Sequence, residues 1–331
     1  MTRKPVLASR FAAVAARDAE TEAFAHDVTA GLSNTPKRIP PKYFYDSEGS
    51  RLFEEITQTP EYYPTRSEHE ILRLQAGAIV QHFPTGAALV EFGSGACIKV
   101  RFLLDAARKL KAYVPVDISG DFLAAEAAAL RKDYPNLAIL PVAADFMKPF
   151  ALPDAVSGLP KIGFFPGSTI GNFEPHEACT FLRHAGTILG RGAVMVVGVD
   201  LIKDEAVLNA AYNDRAGVTA RFNLNVLRRI NRELGGNFKL AGFEHHAFYN
   251  RERKRVEMHL ASRLRQKVTI AGSTFEFRAG ETIHTENSYK YTPESFAALA
   301  RGAGWSLLDN WTDAKGNFAV CALVLPALSD R

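Results

Sequence analysis

Gly93-Ser94-Gly95, Asp117 and Asp145-Phe146 are the residues of this 331-residue chain whose types and spacing best suit work on a small ligand. A Gly-x-Gly turn removes the side chains that would hold a ligand off the backbone. A helix beginning after it would offer free N–H groups. Asp117 closes the apolar run Tyr113-Val-Pro-Val, where a carboxylate can accept both hydroxyls of a ribose. Asp145 offers an acceptor to an adenine amino group, and Phe146 a ring to its face. The third glycine of the dinucleotide fingerprint is missing, since Ile98 stands in its place. The set therefore fits an adenosine without a pyrophosphate, and S-adenosylmethionine is that kind of molecule. A dinucleotide, or a glycine turn with no ligand at all, are the alternatives. Lys99, one turn on, reads either as a surface lysine or as the cation facing the methionine carboxylate.

A second chemical segment is Pro166-Gly-Ser-Thr-Ile-Gly-Asn172. The Asn172 carbonyl can accept a hydrogen bond from an attacking N–H, which suits methyl transfer to nitrogen. Equally, Asn172 can cap a helix opening near Pro175.

These residues need a scaffold that brings strand ends together. From about residue 67, apolar runs alternate with helical stretches. Ser67-Glu-His-Glu70 reads as a capped helix start. The expected strands are Ala88-Leu-Val-Glu-Phe92, Tyr113–Asp117, Leu137–Val142, Lys161-Ile-Gly-Phe-Phe165 and Ala193–Asp200. After Asp200 the chain turns helical, then alternates at period two over 243–249 and 256–261. Strands at 305–310 and 318–325 close it, following a helix opened by Thr292-Pro-Glu. The pattern predicts an α/β fold: a Rossmann-like, doubly wound, mostly parallel seven-stranded sheet, with a smaller α+β substrate domain. The expected division is a mobile leader at 1–17, an accessory domain at 18–66 plus 201–290, and a cofactor-binding domain at 67–200 plus 291–331. A ligand cleft is expected between the two domains.

Composition narrows the class. Charged residues make up 23% and the formal net charge is +4, without a basic stripe, so no nucleic-acid partner is expected. No apolar stretch is long enough to cross a bilayer. Cys97, Cys179 and Cys321 lie far apart with no metal-ligand spacing, so no metal and a cytoplasmic location are expected.

Six segments together give a specific resemblance: Pro40-Pro-Lys-Tyr-Phe-Tyr-Asp46, Pro60-Glu-Tyr-Tyr-Pro-Thr-Arg66, Gly167–Asn172, Ala216-Gly-Val-Thr219, Val256-Glu-Met258 and Thr285-Glu286. The chain is similar, from about residue 20 to 325, to the histidine Nα-methyltransferases of ergothioneine biosynthesis. That resemblance implies S-adenosylmethionine-dependent methylation of free L-histidine through its mono- and dimethyl forms to trimethylhistidine (hercynine); a monomer is expected, though no residue pattern sets the oligomeric state. It implies cofactor binding by Gly93, Ser94, Gly95, Lys99, Asp117, Asp145 and Phe146, with Asn172 central to catalysis. Gly167, Thr169 and Asn172 would face the substrate amine and carboxylate, with Tyr212 and Tyr45 on the carboxylate. Tyr62, Glu286 and Ser288 would reach the imidazole nitrogens, and Met258 would lie near the ring. A glutamate beside the ring would reject a hydrocarbon analogue, because its carboxylate would lose a partner. Methylation of another amino acid or small amine on the same fold is the alternative.

Overall fold

The structure, a computed structural model, describes residues 20–95 and 97–327; the leader expected at 1–17 lies outside them. Among the described residues the strands are β1 (Lys37–Arg38), β2 (Ala88–Phe92), β3 (Ala112–Asp117), β4 (Ala138–Ile139), β5 (Val142–Ala143), β6 (Lys161–Phe165), β7 (Val194–Asp200), β8 (Phe243–Asn250), β9 (Arg255–Ser262), β10 (Gln266–Ile270), β11 (Ser273–Phe277), β12 (Thr282–Tyr289), β13 (Ser306–Thr312) and β14 (Phe318–Val324). The helices are α1 (20–33), α2 (Ser47–Gln58), α3 (Pro64–Ile79), α4 (Val100–Ala106), α5 (Gly120–Asp133), α6 (Pro175–Leu189), α7 (Glu205–Ala211), α8 (Val218–Leu234) and α9 (Pro293–Gly302). The chain forms two compact units. Of the described residues, one comprises 20–62, 204–251 and 256–287, the other 63–95, 97–203, 252–255 and 288–327.

In the larger unit the sheet order is β13-β14-β7-β6-β2-β3-β4, with β5 also paired to β3. The pairs from β4 to β7 are parallel, while β14 runs antiparallel to β7 and β13. This is the expected doubly wound sheet, with one difference. The strand expected at 137–142 is two short pieces, β4 and β5, so the sheet holds eight segments. Pro141 lies between them and has no N–H to give the ladder. Successive strand residues point to opposite layers. Val90, Val114 and Met195 enter one core with Phe181 of α6 and Phe296 of α9. Leu89, Tyr113 and Val196 enter the other with Ile71 of α3, Leu103 of α4 and Leu130 of α5.

The start of α3 also differs from expectation. The helix begins at Pro64, whose fixed φ suits the first turn, and Ser67 lies inside it. The Ser67 hydroxyl donates to Asp313 (3.2 Å) instead of capping. One residue on, Glu68 has no exposed surface and lies directly against Gly198 of β7, where any Cβ would overlap its carboxylate.

In the smaller unit, β1-β12-β9-β8 form a four-stranded sheet, and β10 and β11 a separate hairpin turned by Ala271-Gly272 at positive φ. Helix α8 buries Phe222, Val226 and Ile230 at helical spacing. Its Asn223 accepts from Thr285 Oγ1 (2.8 Å) and donates to the His259 carbonyl (3.0 Å), tying helix to sheet. Among the described residues no helix is long and apolar enough to cross a membrane.

Gly198→Ala should destabilise the protein by about 2 kcal/mol, because the displaced carboxylate has nowhere else to go. Chemical denaturation measures this, and an unchanged midpoint would contradict the contact.

Candidate active site

The larger unit gathers the residues expected to meet a nucleoside at the carboxyl ends of β2, β3, β5 and β6, where a doubly wound sheet leaves its ligand crevice. Strand β2 ends at Phe92, and Gly93 and Gly95 take φ of +71° and +50°, a conformation that favours glycine. The Phe146 ring lies over Gly93, so near that a Cβ there would meet it at 3.2 Å. Phe146 is braced edge-on by Phe165 (5.6 Å) and Phe181 (5.8 Å). Asp117 at the end of β3 accepts from Gly95 N (3.1 Å) and Ser119 N (3.0 Å). Its carboxylate thus fixes both loops, and the remaining lone pairs are the acceptors a ribose diol needs. Asp145 accepts from Met147 N (3.0 Å) and faces Lys148 at 3.8 Å.

Lys99 immediately precedes α4, and the structure removes its reading as a surface lysine. Its ammonium pairs with buried Glu68 at 2.6 Å, and Gly167 N donates to both Glu68 oxygens (2.9 and 3.0 Å). A Cβ on Gly167, at φ +80°, would stand 3.2 Å from Lys99 Nζ. One carboxylate therefore ties the start of α4 to the loop after β6.

That loop continues through Ser168, a non-glycine residue at φ +55°. Its hydroxyl accepts from Asp200 N (2.9 Å), which holds the unfavourable backbone in place. Thr169 Oγ1 donates to the Pro166 carbonyl (2.9 Å). Asn172 ends the 3-10 turn Thr169–Asn172. It does not cap α6: Glu174 does, in a reciprocal capping box with Glu177. The half-buried Asn172 amide makes no hydrogen bond among the described residues.

A second buried group closes the end of β7. Asp200 pairs with Lys203 (2.5 Å) and Lys290 (2.7 Å), and Tyr63 donates its hydroxyl to it (2.8 Å). Burial opposes the Asp200 charge, but the two ammonium groups outweigh it and hold the carboxyl low. Burial pushes Lys203 down to about 8. Ser288 receives a hydrogen bond from Lys290 (2.6 Å).

The smaller unit brings together Tyr45, Tyr62, Tyr212 and Glu286. Asp46 caps α2 by accepting from Gly49 N (2.8 Å) and holds Arg232 (2.6 Å) and Asn225 (2.8 Å), which fixes its neighbour Tyr45. Phe53 and Phe222 lie edge-on or tilted to Tyr45 at 5.8 and 5.7 Å, and Tyr212 stands 6.4 Å edge-on from Tyr62. Burial first, then the Glu286 carboxylate and the other two phenols, push the Tyr45 hydroxyl well above its usual range. It is a donor at every working pH. Three phenols and a carboxylate on apolar walls suit a small polar ligand with several acceptors and donors. Met258 is 2% exposed and alternates along β9 with Glu257 and His259, on the opposite face from both.

Glu257, His259 and His284 bring three metal-type donors within 4.8 Å. The two imidazoles stack at 4.7 Å and 15°, so one ion cannot lie in both ring planes. Residues missed in the sequence are Glu68, Tyr63, Lys203 and Lys290. A polar residue gives no local signal that it is buried against a partner far along the chain.

A profile of the family described as "Histidine-specific methyltransferase, SAM-dependent" matches residues 24–325. The chain is 42% identical to the "Histidine N-alpha-methyltransferase" of Mycolicibacterium smegmatis, over 93% of this chain and 97% of that protein. The corresponding protein of Mycobacterium tuberculosis is 41% identical, covering 92% and 95%. "Ergothioneine biosynthesis protein 1" of Neurospora crassa is 32% identical over 84% of this chain, which matches 32% of that longer protein.

Glu91, 1% exposed on β2 and hydrogen-bonded with Tyr113, is pushed by burial from the ordinary 4.5 to about 8. Its contribution to stability is full below about pH 4.5 and is lost as pH rises through 8. Glu91→Gln should abolish that loss, leaving the variant more stable than the parent by a few kcal/mol at pH 9. Parallel denaturation curves for the two proteins from pH 5 to 9 would contradict the burial of this carboxyl.

Proposed function

The chain belongs to the S-adenosylmethionine-dependent, histidine-specific methyltransferase family, and we propose that it methylates the α-amino nitrogen of free L-histidine, the first step of ergothioneine biosynthesis. The observation that carries this reading is the Asn172 amide, which makes no hydrogen bond among the described residues on a loop whose Gly167, Ser168 and Thr169 are each held.

The cofactor pocket fits the group. Gly93 and Gly95 offer a surface without side chains, Asp117 and Asp145 supply acceptors, and Lys99 supplies a cation. Ser94 lies buried between the two glycines. Bound there, S-adenosylmethionine supplies an electrophilic methyl group on a sulfonium. The protein's own task is then positioning, which can supply several powers of ten in rate. The Asn172 carbonyl accepts an N–H of the substrate amine and so aims the nitrogen lone pair; Gly167 and Thr169 shape the backbone beside it. Tyr45 and Tyr212 donate to the substrate carboxylate, while Tyr62, Glu286 and Ser288 read the imidazole, with Met258 as apolar support. The amine must shed a proton before each attack, and water oriented by Asn172 and a tyrosine hydroxyl can suffice as the acceptor.

Three transfers follow in succession. The deprotonated dimethylated amine keeps a lone pair though it has no N–H left for Asn172, and the trimethylated nitrogen has no lone pair, so the reaction stops there. The free thiols Cys97, Cys179 and Cys321 fit a reducing compartment, the cytoplasm.

Asn172→Ala should weaken histidine binding at least tenfold in calorimetric titration and leave S-adenosylmethionine affinity as it was. Histidine affinity equal to that of the parent would remove Asn172 from the mechanism.

A further inference from the structure

Just beyond Asn172, the loop after β6 runs into a group of polar contacts that neither the cofactor nor the substrate assignment uses. Glu174 Oε1 accepts from the Arg255 guanidinium at 2.7 Å, and Oε2 accepts from the Tyr289 hydroxyl at 2.6 Å. Arg255 also donates to the Tyr289 oxygen (2.7 Å), which closes a triangle, and its guanidinium lies 5.2 Å from the centre of the Tyr289 ring. The Arg255 side chain is only 6% exposed, and all three residues belong to the larger unit. Glu174 at the same time accepts from the Glu177 N–H as the cap of α6. Burial, and then the Glu174 hydrogen bond, push the Tyr289 phenol up to about 12, so it stays a donor at working pH. Tyr289 meets the loop a second time through its main chain. A Cβ on Gly171 would stand 2.8 Å from the Tyr289 carbonyl oxygen and 3.2 Å from its nitrogen. One residue thus touches the loop at Gly171 and again at Glu174, and Asn172 lies between the two points. A charge pair of this kind adds little net stability, so its use lies in the geometry it imposes.

We propose that Tyr289, steadied by Arg255, is a positioning residue that fixes the backbone of Asn172 from its downstream side through Glu174, so that the Asn172 carbonyl stands where an N–H of the substrate amine reaches it. This rests on the reading of Asn172 as the group that receives the reacting nitrogen. The Asn172 amide makes no hydrogen bond among the described residues, so its direction follows from the backbone that carries it. Upstream that backbone is held at Gly167 and Ser168, and downstream the triangle at Glu174 does the same work. The three methyl transfers depend on this placement unequally. The neutral amine of histidine has two N–H groups, whereas the deprotonated dimethylated amine has none. A loosened triangle therefore slows the first transfer more than the third, while a general loss of structure slows both alike.

The test compares kcat/KM for histidine with kcat/KM for Nα,Nα-dimethylhistidine. Tyr289→Phe keeps the ring and the main-chain contact with Gly171 and loses only the hydroxyl. In it the ratio of the first value to the second should fall about fivefold, the worth of a modest coupling between neighbouring contacts. Asn172→Ala should lower the same ratio, and adding Tyr289→Phe to it should lower the ratio no further. S-adenosylmethionine affinity reports that each variant is folded. Should Tyr289→Phe fail to fold, Glu174→Gln replaces it, because its amide oxygen keeps the α6 cap while its NH2 cannot accept from Tyr289. A ratio equal to the parent's in the folded variant, whether both rates hold or both fall alike, would overturn the proposal, as would additive losses in the double variant. A parent ratio in Asn172→Ala, or a parent protein that methylates neither substrate, would instead overturn the functional reading beneath it. The two kinds of failure are told apart because the second is seen before Tyr289 is changed.

Discussion

Glu68 is a carboxylate with no contact with water, and its burial sets the geometry of the cofactor side of this enzyme. Removing a carboxylate from solvent costs several kcal/mol unless charge and hydrogen bonds replace the water. Here the replacements are Lys99 and the Gly167 N–H, one from the start of α4 and one from the loop that carries Asn172. Helix α3 supplies the carboxylate, and β7 makes room for it by having glycine at 198. Moving α3, the start of α4 or the Gly167 loop alone would leave a buried charge with fewer partners. That is preorganisation: the loops are fixed before a ligand arrives, and binding energy is not spent on ordering them.

Asp200 repeats the device at the end of the neighbouring strand. Its partners come from residues far apart in sequence, Tyr63, Lys203 and Lys290, and its own N–H steadies Ser168 in a left-handed conformation. The Glu68 carboxylate and the Asp200 N–H thus hold the start of the Gly167–Asn172 loop, at Gly167 and at Ser168. What they leave untouched is the Asn172 amide, the group proposed to receive the reacting nitrogen.

Much of the sheet was legible because buried parallel strands read as continuous apolar runs. Ala88–Phe92 and Lys161–Phe165 have the bounds that their residues suggest. The reading failed where one residue changed the local rule. Pro141 split a strand by lacking an N–H, and Pro64 opened α3 three residues before the serine that resembled a cap. At the site, residues recognisable by type and motif, such as Gly93, Asp117 and Asn172, could be picked out singly. Glu68 and Lys290 could not, because their importance lies in complete burial beside a partner 31 and 90 residues away, which no local pattern encodes.

Mass spectrometry of a reaction holding the purified protein, S-adenosylmethionine and a mixture of the common free amino acids tests the central claim most directly. The account predicts that histidine gains up to three methyl groups while the other amino acids stay unmodified. Methylation of a different amino acid, with histidine untouched, would contradict the roles given to Tyr62, Glu286 and Ser288 and with them the substrate assignment.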